Sequence, residues 1–282
     1  MTGSKTVEWT LSGFGDEIDD DPVIQIAVLQ ALGANHIEVR SAWGTNIVDL
    51  DGDQLDRLKA LLDAAGMKVS AIASPIGKVD VSLPVEHEVE RLRRAANAAR
   101  VLEAGYIRIF SFYYGGDVAV ESIRDDVMER MRALCAVAEE NGVVLLHENE
   151  KDIFGDVPER VLDIIETVAS PALKVAWDAA NFVQVGVKPF DEAYEKLRPH
   201  LEYLQVKDAR FADAAVVPAG EGDGDLLRTI EALKADGFTG FASLEPHLAG
   251  AHGLGGFSGP TAFGIAARAF AKVLNEAGVG AK

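Results

Sequence analysis

Four polar side chains lie at or near the ends of apolar runs in the second half of the chain. Glu148 closes VVLLHE, Asp178 closes LKVAWD, Gln205 lies in LEYLQVKD, and Glu245 closes GFASLE. If these runs are neighbouring strands, one oxygen donor from each stands at a similar height. Three carboxylates brought that close repel each other and resist ionising, and a divalent cation removes the penalty. Donors that are all oxygen suit a hard ion, Mn²⁺ or Mg²⁺, over a thiolate-type zinc site. Each residue alone has a plainer explanation. A Glu at a strand end is ordinarily a cap or a surface charge, Asp178 could cap the next turn, and Gln205 by itself means little. The joint pattern on consecutive runs is what points to a metal centre, with Glu150 as substitute ligand if the register slips.

Strand parity orders the candidates, because alternate side chains face opposite sides of a sheet. With Glu148 inward, Leu146 and Val144 face inward too and His147 faces away. With Asp178 inward, Trp177 packs beneath the covering layer. Gln205 shares a face with Lys207, Glu38 with Arg40, and Glu245 with Ser243 and Phe241.

The elements that would position these groups recur along 282 residues. Eight short apolar runs read as strands: 10–14, 36–40, 68–74, 106–112, 143–148, 173–178, 201–208 and 240–245. Between and after them lie stretches of helical period: 22–32, 52–65, 85–104, 119–140, 157–168, 189–198, 224–236 and 260–277. Asp156-Val-Pro-Glu159 reads as a helix start, Ser258 with Pro260 opens the last helix in the same manner, and Gly33, Gly66, Gly105, Gly142 and Gly237 follow helix ends. Eight such repeats without a dividing linker predict one α/β domain over 1–282, a single (β/α)8 TIM barrel. The competing fold, an open doubly wound sheet, ordinarily has a glycine-rich phosphate turn after its first strand. Here that turn is GFGDEIDDD, without GxGxxG spacing and with carboxylates that repel a pyrophosphate.

Composition narrows the partners. A formal charge of −18 disfavours nucleic acid and anionic lipid surfaces. The single cysteine, Cys135, lies in an apolar helical run and reads as a buried small hydrophobe, so no disulfide forms within the chain. No apolar signal core or membrane-length run is present, and a cytoplasmic protein is the expectation.

The segments SGFGDEIDDD, HIEVRSAWG, SPIGKV, LLHENEKDIFGDVPER, WDAANFVQ, QVKDA and SLEPH together resemble the sugar-phosphate isomerase/epimerase group of the xylose isomerase-like TIM barrels, almost end to end. The resemblance implies a metal held by Glu, Asp, His and Glu from the last four strands. The matching positions are Glu148, Asp178, Gln205 and Glu245, and Gln205 departs from the family's His. It further implies a carbohydrate substrate, proton transfer next to its carbonyl, and Glu148 and Glu245 as the paired acid and base. Isomerisation and epimerisation use the same pair. A lyase or dehydratase acting on a keto-sugar or inosose, and a non-catalytic sugar-binding barrel, are the alternatives. An endonuclease IV-like activity is disfavoured by the charge and the scarcity of histidines. Glu38 and Arg40 would orient substrate or form a rim ion pair. Lys207 would stabilise oxyanion charge or pair with Asp208 or Glu245, and His247 would touch substrate or orient Glu245. Trp43 and Phe14 would wall the sugar or belong to the core, and Lys78 would reach an anionic group or lie exposed. The acidic loop 220–225 and the glycine-rich tract 247–259 are candidate lids. A homodimer or homotetramer follows from the resemblance alone.

Overall fold

Strands covered on both faces must be apolar throughout, and LKVAWD and VLLHE are buried along nearly their whole length. The computed structural model describes residues 7–248 and 258–282. Eight parallel strands form the barrel wall: β1 (Val7–Gly13), β2 (His36–Val39), β3 (Lys68–Ala73), β4 (Tyr106–Ile109), β5 (Val144–Glu148), β6 (Leu173–Asp178), β7 (Leu201–Val206) and β8 (Phe241–Leu244). A ninth, β9 (Val279–Ala281), pairs with the first half of β1, while the second half of β1 pairs with β8. The sheet runs β9-β1-β8-β7-β6-β5-β4-β3-β2. Among the described residues, β1 and β2 are joined by the parallel bridge Phe14–Glu38, which closes the TIM barrel.

The covering helices are α1 (Pro22–Ala31), α2 (Gly52–Ala65), α3 (Val85–Leu102), α4 (Arg124–Asn141), α5 (Pro158–Val168), α6 (Ala179–Gln184), α7 (Leu226–Ala235) and α8 (Gly259–Ala277). Asp51 and Gln54 form a reciprocal capping box on α2, and Asp21 caps α1 ahead of Pro22. Gly66 and Gly142 end α2 and α4 with φ of 65° and 66°, where a β-carbon would be strained. At α3 that left-handed position is Glu103, φ 58°, and not Gly105.

Several boundaries differ from the sequence reading. β4 ends at Ile109, three residues before the apolar run does, because Phe110 and Phe112 turn to bond with Ile76 and Gly77. β7 ends at Val206, and Asp208–Ala209 forms a small hairpin with Val216–Val217. The expected helix 189–198 is a π-helical turn Pro189–Tyr194, a short α segment and a 3₁₀ turn. Ser258 stands at the N-cap position of α8 with Pro260 in the first turn, as expected, but its side chain makes no capping bond. Its hydroxyl donates to Glu17.

The lower barrel interior is filled by Ala71, Leu146, Ala176 and Tyr203, with Tyr106 and Phe241 packed against them. Trp177 lies in the outer core, edge-on to Phe182 with 5.3 Å between ring centroids. Cys135 is free and buried, and burial pushes its thiol up to about 11. No helix among the described residues is long and apolar enough to cross a membrane.

Candidate active site

The inward faces of β5, β6 and the segment after β8 bring Glu148, Asp178 and Glu245 together at the C-terminal end of the barrel. One carboxylate oxygen from each lies within 4.8 Å of the other two, and all three side chains are buried. Local structure sets their aim. Asp178 ends β6 and caps α6, its Oδ1 accepting from the Asn181 amide at 2.9 Å. The capping explanation therefore holds for this residue, and its Oδ2 is left directed into the cluster, 2.8 Å from Lys207 Nζ. Asn181 Nδ2 donates to Glu148 Oε1 at 3.0 Å, which fixes that carboxylate against its neighbour.

Gln205 lies in register with Asp178 on one side and Ser243 on the other. Its side chain is buried, and neither amide atom has a hydrogen-bond partner. Such an amide costs free energy unless something binds it. Three convergent carboxylates beside an orphaned amide form a donor set suited to a hard divalent ion, and the residues present fit one.

Two cations reach into the same cluster. Lys207 Nζ lies 2.8 Å from Asp178 Oδ2 and 3.2 Å from Glu245 Oε2. It pairs with these and not with Asp208. Arg108 Nη1 lies 3.0 Å from Glu148 Oε2 and 3.6 Å from Glu245 Oε1. Sequence reasoning passed over Arg108 because it sat in the middle of the run YIRIFSF. The early end of β4 places it at the cavity, and its shared parity with inward Tyr106 was the available signal.

Electrostatics divide the carboxylates. Burial pushes Asp178 up to about 7, with Lys207 opposing and Glu148 reinforcing the shift. Burial also raises Glu148, against the pull of Arg108. At Glu245 burial is outweighed by Lys207, His247 and Arg108, which hold it well below the usual carboxylate range. His147 faces away from the cluster as parity required, against Gly155, and burial pushes it down to about 3.

At the rim, Arg40 bonds Asp16 at 2.8 Å, Glu17 at 3.1 Å and Glu245 at 3.1 Å. His247 Nε2 lies 3.2 Å from both Glu17 and Glu245. Glu38 lies deeper, fully buried, and accepts from Tyr203 at 2.9 Å. The Tyr203 oxygen is 2.9 Å from Ser70 Oγ, itself 2.6 Å from Ser12 Oγ. Phe14 packs under the guanidinium groups of Arg40 and Arg108 and, fully buried, belongs to the core and not to the cavity lining. Trp43 stacks against Arg57 at 4.5 Å and is not among the residues lining the cavity. Lys78 is bound by Glu150 at 3.0 Å, which engages the substitute ligand elsewhere. The cavity holds about 540 Å³, enough for a small molecule.

The acidic loop 220–225 is not a free lid. Asp208 accepts from the amides of Gly220, Gly222 and Gly224 at 2.9, 3.1 and 2.9 Å. A β-carbon at Gly222 or Gly224 would overlap that carboxylate. The other lid candidate falls mostly on 249–257, outside the described residues. Its base is held where the Leu248 amide meets Ser258 Oγ at 3.0 Å.

The family model described as xylose isomerase-like TIM barrel matches residues 26–271. A 3-dehydroshikimate dehydratase from Bacillus anthracis is 23% identical over 188 residues, covering 66% of this chain and 67% of that protein. A 2-epi-5-epi-valiolone 7-phosphate 2-epimerase from Actinoplanes sp. is 28% identical over 231 residues, 80% of each. The crystal structure of a D-tagatose 3-epimerase-like protein superposes with a TM-score of 0.78 at 17% identity, covering 95% of this chain and 98% of that one.

Proposed function

Because the chain belongs to the xylose isomerase-like TIM barrel family, we propose that it is a metal-dependent sugar isomerase or epimerase. The observation that carries this reading is the convergence of Glu148, Asp178 and Glu245 at the barrel mouth. These three, with the Gln205 carbonyl, would hold the ion, and the all-oxygen set favours Mn²⁺ or Mg²⁺. When bound, the ion supplies Lewis-acid stabilisation of negative charge on the substrate's carbonyl oxygen.

The chain's own groups do the proton transfer. One of Glu148 and Glu245 takes the proton from the carbon next to the carbonyl, and the other returns a proton. Return to the opposite face inverts the centre, and return to the neighbouring carbon isomerises. Asn181 and Arg108 hold Glu148, while Arg40, Lys207 and His247 hold Glu245, so neither base swings away. Lys207 and Arg108 also offer donors to oxyanion charge. Arg40 and His247 border the substrate's place in this reading, with Glu38 buried beneath it and outside the cavity lining, a small carbohydrate is the partner, and neither nucleic acid nor membrane is one. A cytoplasmic homodimer or homotetramer is part of the same proposal.

The dehydratase relative favours one second reading, in which the same proton removal is followed by loss of a leaving group. Proton NMR in D₂O with Mg²⁺ and a panel of ketoses separates the two. Deuterium uptake beside the carbonyl with an epimer or isomer formed supports the first, and an unsaturated product supports the second. Glu148→Gln and Glu245→Gln should each lower turnover by about a thousandfold. Unchanged turnover in both removes the catalytic assignment and leaves a sugar-binding barrel.

A further inference from the structure

The mouth carries four strong cations among the described residues, and each is already paired. Arg40 is held by Asp16, Glu17 and Glu245, Lys78 by Glu150, Arg108 by Glu148, and Lys207 by Asp178 and Glu245. The partner carboxylates are Asp16, Glu17, Glu148, Glu150, Asp178 and Glu245, so the acids outnumber the cations by two. One divalent ion would offset those two charges, and Asp20 adds a further carboxylate to the cavity lining. The tract 249–257 carries neither Lys nor Arg. The chain as a whole has a formal charge of −18, which offers an approaching anion no attraction.

Resting on the isomerase or epimerase reading, we infer that the site takes an uncharged polyhydroxy ketone and rejects its phosphate ester. A phosphate would add about two negative charges to a mouth whose guanidinium and ammonium groups are spent on carboxylates. Hydroxyl groups face no such conflict, since carboxylates accept from them and paired Arg and Lys retain further N–H donors.

The test uses the Mg²⁺-loaded protein and matched probes: D-fructose with D-fructose 6-phosphate, and D-xylulose with D-xylulose 5-phosphate. Deuterium uptake from D₂O should be at least about a hundredfold faster for the free ketose of a pair. Faster uptake by the phosphate overturns the inference and leaves the proton-transfer reading standing. Uptake by neither member of either pair counts against that reading, and the inference falls with it.

Calorimetry with D-sorbitol and D-sorbitol 6-phosphate gives a readout independent of turnover. Tighter binding of the phosphate overturns the inference whatever the exchange result. Glu150→Gln unpairs Lys78 and should raise the phosphate's binding relative to the free polyol by about tenfold. No change in that ratio would show that charge pairing does not set the selectivity.

Discussion

Glu38→Gln should stabilise the metal-free protein in a manner that grows with pH. Glu38 is fully buried inside the barrel, and burial, opposed chiefly by Arg108, pushes it up to about 7 from its ordinary 4.5. Below 4.5 both the folded and the unfolded chain carry its proton, and the group exerts no pH-dependent penalty. Between 4.5 and 7 the unfolded chain has released the proton and the folded chain has not, so folding weakens as pH rises. Above 7 the full difference applies, and at ~1.4 kcal/mol per pH unit the gap corresponds to about 3 kcal/mol. Glutamine keeps an oxygen for the Tyr203 hydroxyl and cannot ionise. Urea unfolding of both proteins with a chelator present, from about pH 4 to about pH 8, should show the variant gaining about 3 kcal/mol on the wild type across that range. Parallel stability profiles would refute the reasoning, and would mean that Glu38 ionises in the folded barrel as it does in water.

Three further outcomes follow from the site. Gln205→His exchanges a carbonyl oxygen for an imidazole nitrogen and should shift the preference from Mg²⁺ toward Zn²⁺ by at least about tenfold, read by equilibrium dialysis with elemental analysis. Arg108→Met strips a buried carboxylate of its partner and should cost at least about 3 kcal/mol in chelator, with part recovered on adding Mg²⁺; calorimetric unfolding measures both. Gly222→Ala forces a methyl into the Asp208 carboxylate and should cost about 2 kcal/mol by thermal denaturation.

The barrel and three of its acids were legible in sequence for one reason. Strands buried on both faces read as apolar runs, and a polar residue closing such a run can only emerge at the mouth. Glu148, Asp178 and Glu245 meet that description, and parity placed His147 and Trp177 on the outer side correctly. Arg108 did not meet it, since an apolar run overstates a strand when the chain after it stays buried, as Phe110 and Phe112 do. The rim network was illegible for a different reason. Glu17, Ser258 and His247 meet through contacts spanning nearly the whole chain, and no local pattern encodes them. Asp208 looked like a salt-bridge partner for Lys207, but its three amide partners are backbone groups of a loop, which carry no sequence signature beyond their glycines.

The joint between β1 and β2 is of a different kind from the other seven. Where neighbouring strands share a ladder of amide bonds, this one has the single Phe14–Glu38 bridge among the described residues, with the serine and tyrosine hydroxyls of Ser12, Ser70 and Tyr203 tying the same wall from inside. Side-chain bolts can be removed by mutation one at a time, as a backbone ladder cannot. Native-state hydrogen exchange should therefore find its lowest-energy opening along this seam, and Ser70→Ala should deepen it there while leaving protection in β5 to β7 intact.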